Sequence, residues 1–267
     1  MNKLETYDTV VAINVDVQND FCPGGSLAVT DGDQVVPPLN RLNEWTRTQK
    51  GEVIDTRDWH PRQTEHFDKW PVHCVQYTAG AAFHDNLLVE YPDTVASKGQ
   101  STKDDGYSGW EAFLDPESHL YRRGDGRYSL DVLTVGEAVE ELVNPYNHGG
   151  KGRRRVAVVI GGLATDYCVQ ATVLDALKEG RKLEKTMRSL SGKRPDAYVP
   201  GQGYVEHHGP APLAHPIGVF VLADAIRAVN LQPEDGAKAL AKMQAAGAIL
   251  TTTDEVLGGQ AFALKGA

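Results

Sequence analysis

The sequence predicts an α/β fold in which a parallel sheet is covered by helices on both faces. Three observations carry this. Short, almost wholly apolar runs of the kind buried on both faces recur along the chain. They alternate with longer segments of helical period, the pattern of strand–helix–strand units. The length, 267 residues, suffices to bury a full core.

The elements follow in order. "TVVAINVDV" (9–17) is an apolar run ending near Asp16 and reads as a strand. "QVVPPLNRLNEWTRTQ" is a helix with a proline-rich start, and "GEVIDTRDWH" is a second strand that ends in polar residues. "TVGEAVEELVNPY" (134–146) places Val135, Val139, Leu142 and Val143 on one helical stripe. "RRRVAVVIGG" (153–162) is the clearest buried strand, and "TDYCVQATVLDALKEG" follows as a helix closed by Gly180. "IGVFVLADAIRAV" is a strand, "PEDGAKALAKMQAAG" (233–247) a helix, and "AILTTTDEV" a last short strand. Residues 60–84 carry four histidines without a clean period, and residues 181–216 are rich in Gly, Pro, Lys and Arg. The second stretch reads as an irregular surface insert rather than a separate unit, so 1–267 is expected to form a single domain. The insert is open to three readings: a lid, a contact in a homo-oligomer, or a lineage-specific extension.

Composition excludes several classes. A net charge of −9 argues against nonspecific binding to nucleic acid or anionic membrane. The N-terminus lacks a signal-peptide pattern, and no run approaches the length of a membrane span. The three cysteines, Cys22, Cys74 and Cys168, are too few and scattered for a disulfide framework, so a reducing cytoplasm is the expected location.

Active sites of open parallel sheets form outside the carboxyl ends of the strands. Three polar groups fall at such ends: Asp16, the Asp58/His60 pair and Cys168. With Thr165 as N-cap, Cys168 occupies the third helical position, where the helix N-terminus lowers a thiol pKa and its N–H groups can receive an oxyanion. The alternative is a buried structural cysteine. Asp58 and His60, two apart on an extended strand end, share a side, and His66 and His73 follow in a loop that can fold back. One carboxylate and three imidazoles suit zinc, iron or manganese; the alternative is a histidine-rich loop without metal. Asp16 is either a base for the thiol or a solvated strand-end carboxylate. Nothing local singles out Lys98. His207, His208 and His215 in the insert read as a solvated loop rather than a second metal site.

The blocks "DVQNDFCPGGSLAV", "DWHP", "WPVHC…TAGAAFH", "KG…DGYSGW" and "GLATDYCV.AT..DAL" resemble, in the same order, the cysteine amidohydrolases of the isochorismatase-like superfamily, and most closely its nicotinamidase/pyrazinamidase branch. The resemblance covers residues 9–110 and 153–180, with a weaker match at 217–257. It implies a three-layer α/β/α fold with a mostly parallel sheet of about six strands. It implies Asp16, Lys98 and Cys168 as the catalytic triad, and Asp58, His60, His66 and His73 as ligands of one divalent ion, zinc before iron or manganese. Ala164 and Cys168 would supply the oxyanion hole, with a cis peptide between Leu163 and Ala164. Phe21 and Trp70 would sandwich the ring of the substrate, with Tyr107 and Leu163 completing the pocket. The implied reaction hydrolyses nicotinamide to nicotinate and ammonia through a thioester, a step of NAD salvage, with pyrazinamide as a plausible further substrate. Relatives with other small amides as substrates share the Asp, Lys and Cys pattern but generally lack the full ligand set, which is filled here. Hydrolysis of another small amide is the alternative.

Overall fold

A computed structural model describes residues 5–103, 106–116, 133–144, 152–190, 197–199, 203–205 and 214–265. His207, His208 and segment 118–132 lie outside the described residues.

Its strands are β1 (Thr6–Tyr7), β2 (Thr9–Val15), β3 (Glu52–Asp58), β4 (Thr94–Lys98), β5 (Phe113–Leu114), β6 (Val156–Leu163), β7 (Ala197–Val199), β8 (Gly203–Val205), β9 (Ile217–Arg227), β10 (Ile249–Thr251) and β11 (Ala263–Leu264). Its helices are α1 (Val36–Thr48), α2 (Val135–Val143), α3 (Gln170–Leu190), α4 (Asp235–Ala246) and α5 (Thr253–Leu257). The main sheet has seven strands in the order β10-β9-β6-β2-β3-β4-β5. Six run parallel, and the two-residue β5 pairs antiparallel to β4 at one edge. The expected sheet of about six strands is therefore present, with a short added edge. The strand Thr94–Lys98 is absent from the sequence-based element list because its five residues are too few to show a period.

Helices cover both faces, and the alternation of strand side chains explains how. Val11, Ile13, Ile54 and Val158 face one layer, against α2, α3 and Met243 of α4. Val10, Ala12, Val53 and Val159 face the other, against Leu39 and Leu42 of α1 and Val256 of α5. α2 opens with a capping box: Thr134 Oγ1 accepts from Glu137 N at 3.2 Å, and Glu137 accepts from Thr134 N at 2.8 Å. No described helix is long and apolar enough to cross a membrane.

The region 181–216 departs from its expectation. Gly180 does not close the helix; α3 runs on to Leu190. Val169, Val173, Ala176, Leu183 and Met187 are all buried and fall at intervals of four, three, seven and four residues, so the apolar stripe continues past the glycine. Gly180 instead lies against Ile217 of β9, where a Cβ would come within 3.4 Å. Farther on, β7 and β8 pair antiparallel, so the stretch is not wholly irregular. His215, exposed, approaches Glu184 at 3.7 Å; among the described residues it joins no histidine cluster.

One polar group interrupts the layer beneath α1. Asn14 on β2 and Asp55 on β3 are register partners, and both are fully buried with Asn43 of α1. Asn14 Nδ2 donates to Asn43 Oδ1 at 3.1 Å and to Asp55 Oδ1 at 2.8 Å. Among the described residues Asp55 Oδ2 has no hydrogen-bond partner. Burial pushes the Asp55 carboxyl up to about 7; the Asn14 bond opposes this, Asp93 adds to it and Arg47 opposes it. Such a group binds a proton in the folded state that the unfolded chain has already released above its ordinary pKa of 3.8. The contribution of Asp55 to stability therefore falls as pH rises from about 4 to about 7 and levels off beyond. Asp55→Asn keeps the acceptor for Asn14 without the charge. Urea unfolding is expected to show the variant stabilised by a few kcal/mol at pH 8, at about 1.4 kcal/mol per pKa unit, with the gain vanishing near pH 4.

Candidate active site

Four strand tips deliver the polar residues. β2 and β6 are neighbours in the sheet but distant in sequence, so the chain order reverses between them, where α/β sheets open a crevice. Asp16 follows β2 with φ +51°, Asp58 ends β3, Lys98 ends β4, and Cys168 follows β6. Close approach of β2 and β6 depends on Gly162, φ +115°, where a Cβ would lie 2.1 Å from the Val15 carbonyl oxygen. The Leu163–Ala164 peptide is cis. Ala164, not Thr165, is the N-cap, and Thr165–Val169 form a π turn in which Val169 N donates to Ala164 O at 3.1 Å. Cys168 is therefore the fourth residue of that turn rather than the third of an α-helix. The wider turn re-aims the segment that carries the thiol.

Charge is concentrated and dry at this point. Asp16 is fully buried, and Lys98, Asp58 and Cys168 nearly so. Lys98 Nζ lies 2.8 Å from Asp16 Oδ2 and 3.5 Å from Cys168 Sγ, and it also donates to Asp58 Oδ1 and the Gly106 carbonyl. Asp16, Asp58 and Cys168 each place a polar atom within 4.8 Å of the others. Thr56 Oγ1 donates to Asp16 Oδ1 at 2.8 Å. Burial raises the Asp16 carboxyl; Lys98 opposes this and the Asp58 charge adds to it. Against the cost of burial, Lys98, His60 and His73 hold Asp58 well below the usual carboxylate range. Burial likewise disfavours the Lys98 cation, but the two carboxylates hold it well above its ordinary value. The thiol goes opposite to the sequence expectation. Burial pushes the Cys168 thiol well above its ordinary value, Lys98 opposes this only in part, and the charges of Asp16 and Asp58 add to it.

Beside this cluster the three histidines converge, with a ring nitrogen of each of His60, His66 and His73 within 4.8 Å of the others and all three buried. His60 and His66 stack at 4.4 Å between ring centroids. His66 is held in a short turn whose N-cap, Thr64, accepts from His66 N at 3.3 Å. Nδ1 of His60 lies 3.0 Å from the Gly99 carbonyl, and Nδ1 of His73 lies 2.7 Å from that of Pro71. A carbonyl only accepts, so each Nδ1 carries its proton and each Nε2 keeps a lone pair when the ring is neutral. Both Nε2 atoms point at Asp58 Oδ2, at 3.6 and 3.7 Å, and His60 Nε2 is buried without a hydrogen-bond partner among the described residues. The unpartnered Nε2 of His60 and the Nε2 of His73, both beside a carboxylate and each backed by a carbonyl on the far side of its ring, fit a divalent cation.

A cleft of about 410 Å³ opens onto both clusters. Phe21, Trp70, Tyr107 and Ala164 line it with Cys168, His66 and His73. Trp70 Nε1 donates to the Tyr107 hydroxyl at 2.9 Å. Leu163, expected in the pocket, is not part of the lining: its side chain is buried in the apolar cluster with Val29 and Val35. As the last residue of β6 it points into the layer under α1, and only its peptide with Ala164 reaches the site. The sequence reading missed Tyr167, which stands edge-on to Trp70 at 4.9 Å, and Val229, whose N–H is held by Asp166 at 2.9 Å. Tyr167 adjoins the thiol in sequence, which is a usable signal; Val229 carries none.

The isochorismatase domain family matches residues 10–109. The nicotinamidase of Escherichia coli (strain K12) is 33% identical over 257 residues, covering 89% of this chain and 92% of its own. The nicotinamidase/pyrazinamidase of Mycobacterium tuberculosis (strain H37Rv) is 34% identical over 195 residues, covering 70% of this chain and 89% of its own. Among solved structures, Pyrococcus horikoshii pyrazinamidase in complex with zinc superposes with a TM-score of 0.59 at 27% identity, covering 91% of this chain and 98% of that one. Sequence blocks, fold and relatives agree, and the chain belongs to the nicotinamidase branch of the isochorismatase-like superfamily.

Proposed function

We propose that this protein is a metal-dependent cysteine amidohydrolase that converts nicotinamide and water to nicotinate and ammonia. The observation that carries the reading is the place of Lys98 Nζ, in contact with Asp16, Asp58 and Cys168 at once. It joins a thiol and its proton acceptor to the carboxylate of a histidine cluster, in one cleft. Relatives named nicotinamidase over most of this chain support the substrate.

Cys168 is the nucleophile and Asp16 its base. Burial raises the Asp16 carboxyl, which makes it a stronger base for the sulfur's proton than an exposed carboxylate, while burial of the thiol works the other way. The thiolate attacks the carboxamide carbon, and the N–H groups of Ala164 and Cys168 receive the developing oxyanion. Asp16 returns the proton to the leaving nitrogen and ammonia departs. Water then hydrolyses the thioester, with Asp16 again accepting a proton. Lys98 offsets the negative charge that moves between sulfur and carboxylate. Phe21, Trp70 and Tyr107 provide flat walls for a pyridine ring. Asp58, His60, His66 and His73 would hold the divalent ion; three imidazoles and one carboxylate suit zinc, with iron or manganese as competitors, and the zinc complex of the Pyrococcus horikoshii relative supports zinc. Such an ion supplies a Lewis-acidic docking point for a ring nitrogen, which orients substrate rather than creating the nucleophile.

Purified protein with zinc is expected to release ammonia from nicotinamide, and Cys168→Ala to lose at least about 10³-fold in kcat while keeping its circular dichroism. Wild-type turnover by Cys168→Ala would sink the mechanism. A wild type inert toward nicotinamide but active on another small amide would move the substrate. Elemental analysis is expected to find one divalent ion per chain, lost in His60→Ala and His73→Ala. In protein stripped by a chelator, Lys98→Met leaves two buried carboxylates without their cation. Urea unfolding at pH 8 is expected to show a loss of about 3–5 kcal/mol.

A further inference from the structure

We propose that Gln18 is a positioning residue for Asp58, its side-chain amide standing where a peptide unit of β2 would otherwise be. The inference rests on the reading that Asp58 helps to hold a divalent ion. β2 and β3 run in register from Val11/Glu52 to Val15/Thr56, and Asp16 N makes the last ladder bond, to Thr56 O at 3.1 Å. At Asp16 the positive φ takes the chain out of the sheet, while β3 continues two residues further to Asp58. On the other side Asp58 still pairs with Lys98 of β4. On the β2 side the N–H and C=O of Asp58 face no strand.

Gln18 fills that gap with both ends of its amide. Asp58 N donates to Gln18 Oε1 at 2.8 Å, and Gln18 Nε2 donates to Asp58 O at 2.8 Å. The same Nε2 donates to Ala81 O at 2.8 Å. The side chain is fully buried, so water cannot substitute for these bonds. Gln18 N also donates to Asp16 O at 2.9 Å. One residue thus fixes the backbone of Asp58 relative to Asp16, the two carboxylates that share Lys98. Leucine fills the space but leaves both polar groups of Asp58 unmet. Glutamate accepts from the Asp58 N–H but sets an oxygen against two carbonyls.

The test compares zinc affinity, by competition with a chromogenic chelator, with urea stability and with kcat and KM for nicotinamide at saturating zinc. The proteins are wild type, Gln18→Leu, Gln18→Glu and a control, Leu42→Ala in the core under α1. Gln18→Leu is expected to bind zinc about 10- to 100-fold more weakly and to lose kcat more than it raises KM. Gln18→Glu is expected to weaken zinc binding by at least about threefold. The control loses stability but binds zinc within about twofold of wild type, the accuracy of the competition assay. Where Gln18→Leu does not fold, Gln18→Glu carries the comparison. Wild-type zinc affinity in the folded Gln18 variants would overturn the proposal, leaving Gln18 a structural residue only. A wild type that binds no divalent ion would instead remove the reading beneath it, and the two failures are told apart by the wild-type titration alone.

Discussion

A single ammonium group, that of Lys98, makes the rest of the site tenable. Two carboxylates buried a few ångströms apart would repel strongly in a dry interior, and an unpaired buried lysine would lose its charge. Placed together, Asp16, Asp58 and Lys98 sustain one another: the carboxylates keep the lysine charged, and the lysine lets Asp58 stay ionised. The arrangement demands a fixed register at the strand tips: Asp58 and Lys98 end β3 and β4 side by side, and β2 ends at Val15, opposite Thr56 and two residues short of Asp58. The register from Asn14/Asp55 through Asp58/Lys98 provides this.

The same cation divides two tasks. Toward Asp58 it faces a carboxylate already committed to the histidines, whose acidity is held low. Toward Asp16 it faces a carboxylate whose burial still wins, leaving its pKa raised. Two aspartates of equal chemistry thus differ because one has three positive or polarised neighbours and the other has one lysine and one hydroxyl, that of Thr56. Environment, not residue type, separates the proposed proton carrier from the proposed metal ligand.

Much of the architecture was readable from pattern. Apolar strands such as 153–162 and the stripe of α2 show their burial in their composition. Short elements escaped: β4 is five residues long, and its importance lies in ending at Lys98, which nothing nearby marks. Gly180 misled because glycine commonly ends a helix, whereas here the buried stripe of α3 runs past it beside Ile217 of β9. Leu163 was placed by resemblance in the pocket, but strand parity turns its side chain into the layer under α1.

The sequence by itself determined the fold class, the family and the set of chemical groups available, because hydrophobic period and ordered motif blocks are local properties. Only the tertiary structure decided that burial pushes the thiol's pKa up, that Thr165 is not the cap, and that Gln18 completes a ladder β2 abandons. Those outcomes depend on desolvation and on distances between segments about 40 to 150 residues apart, as between Gln18 and Asp58 or Asp16 and Cys168. A linear chain carries neither quantity until it is folded.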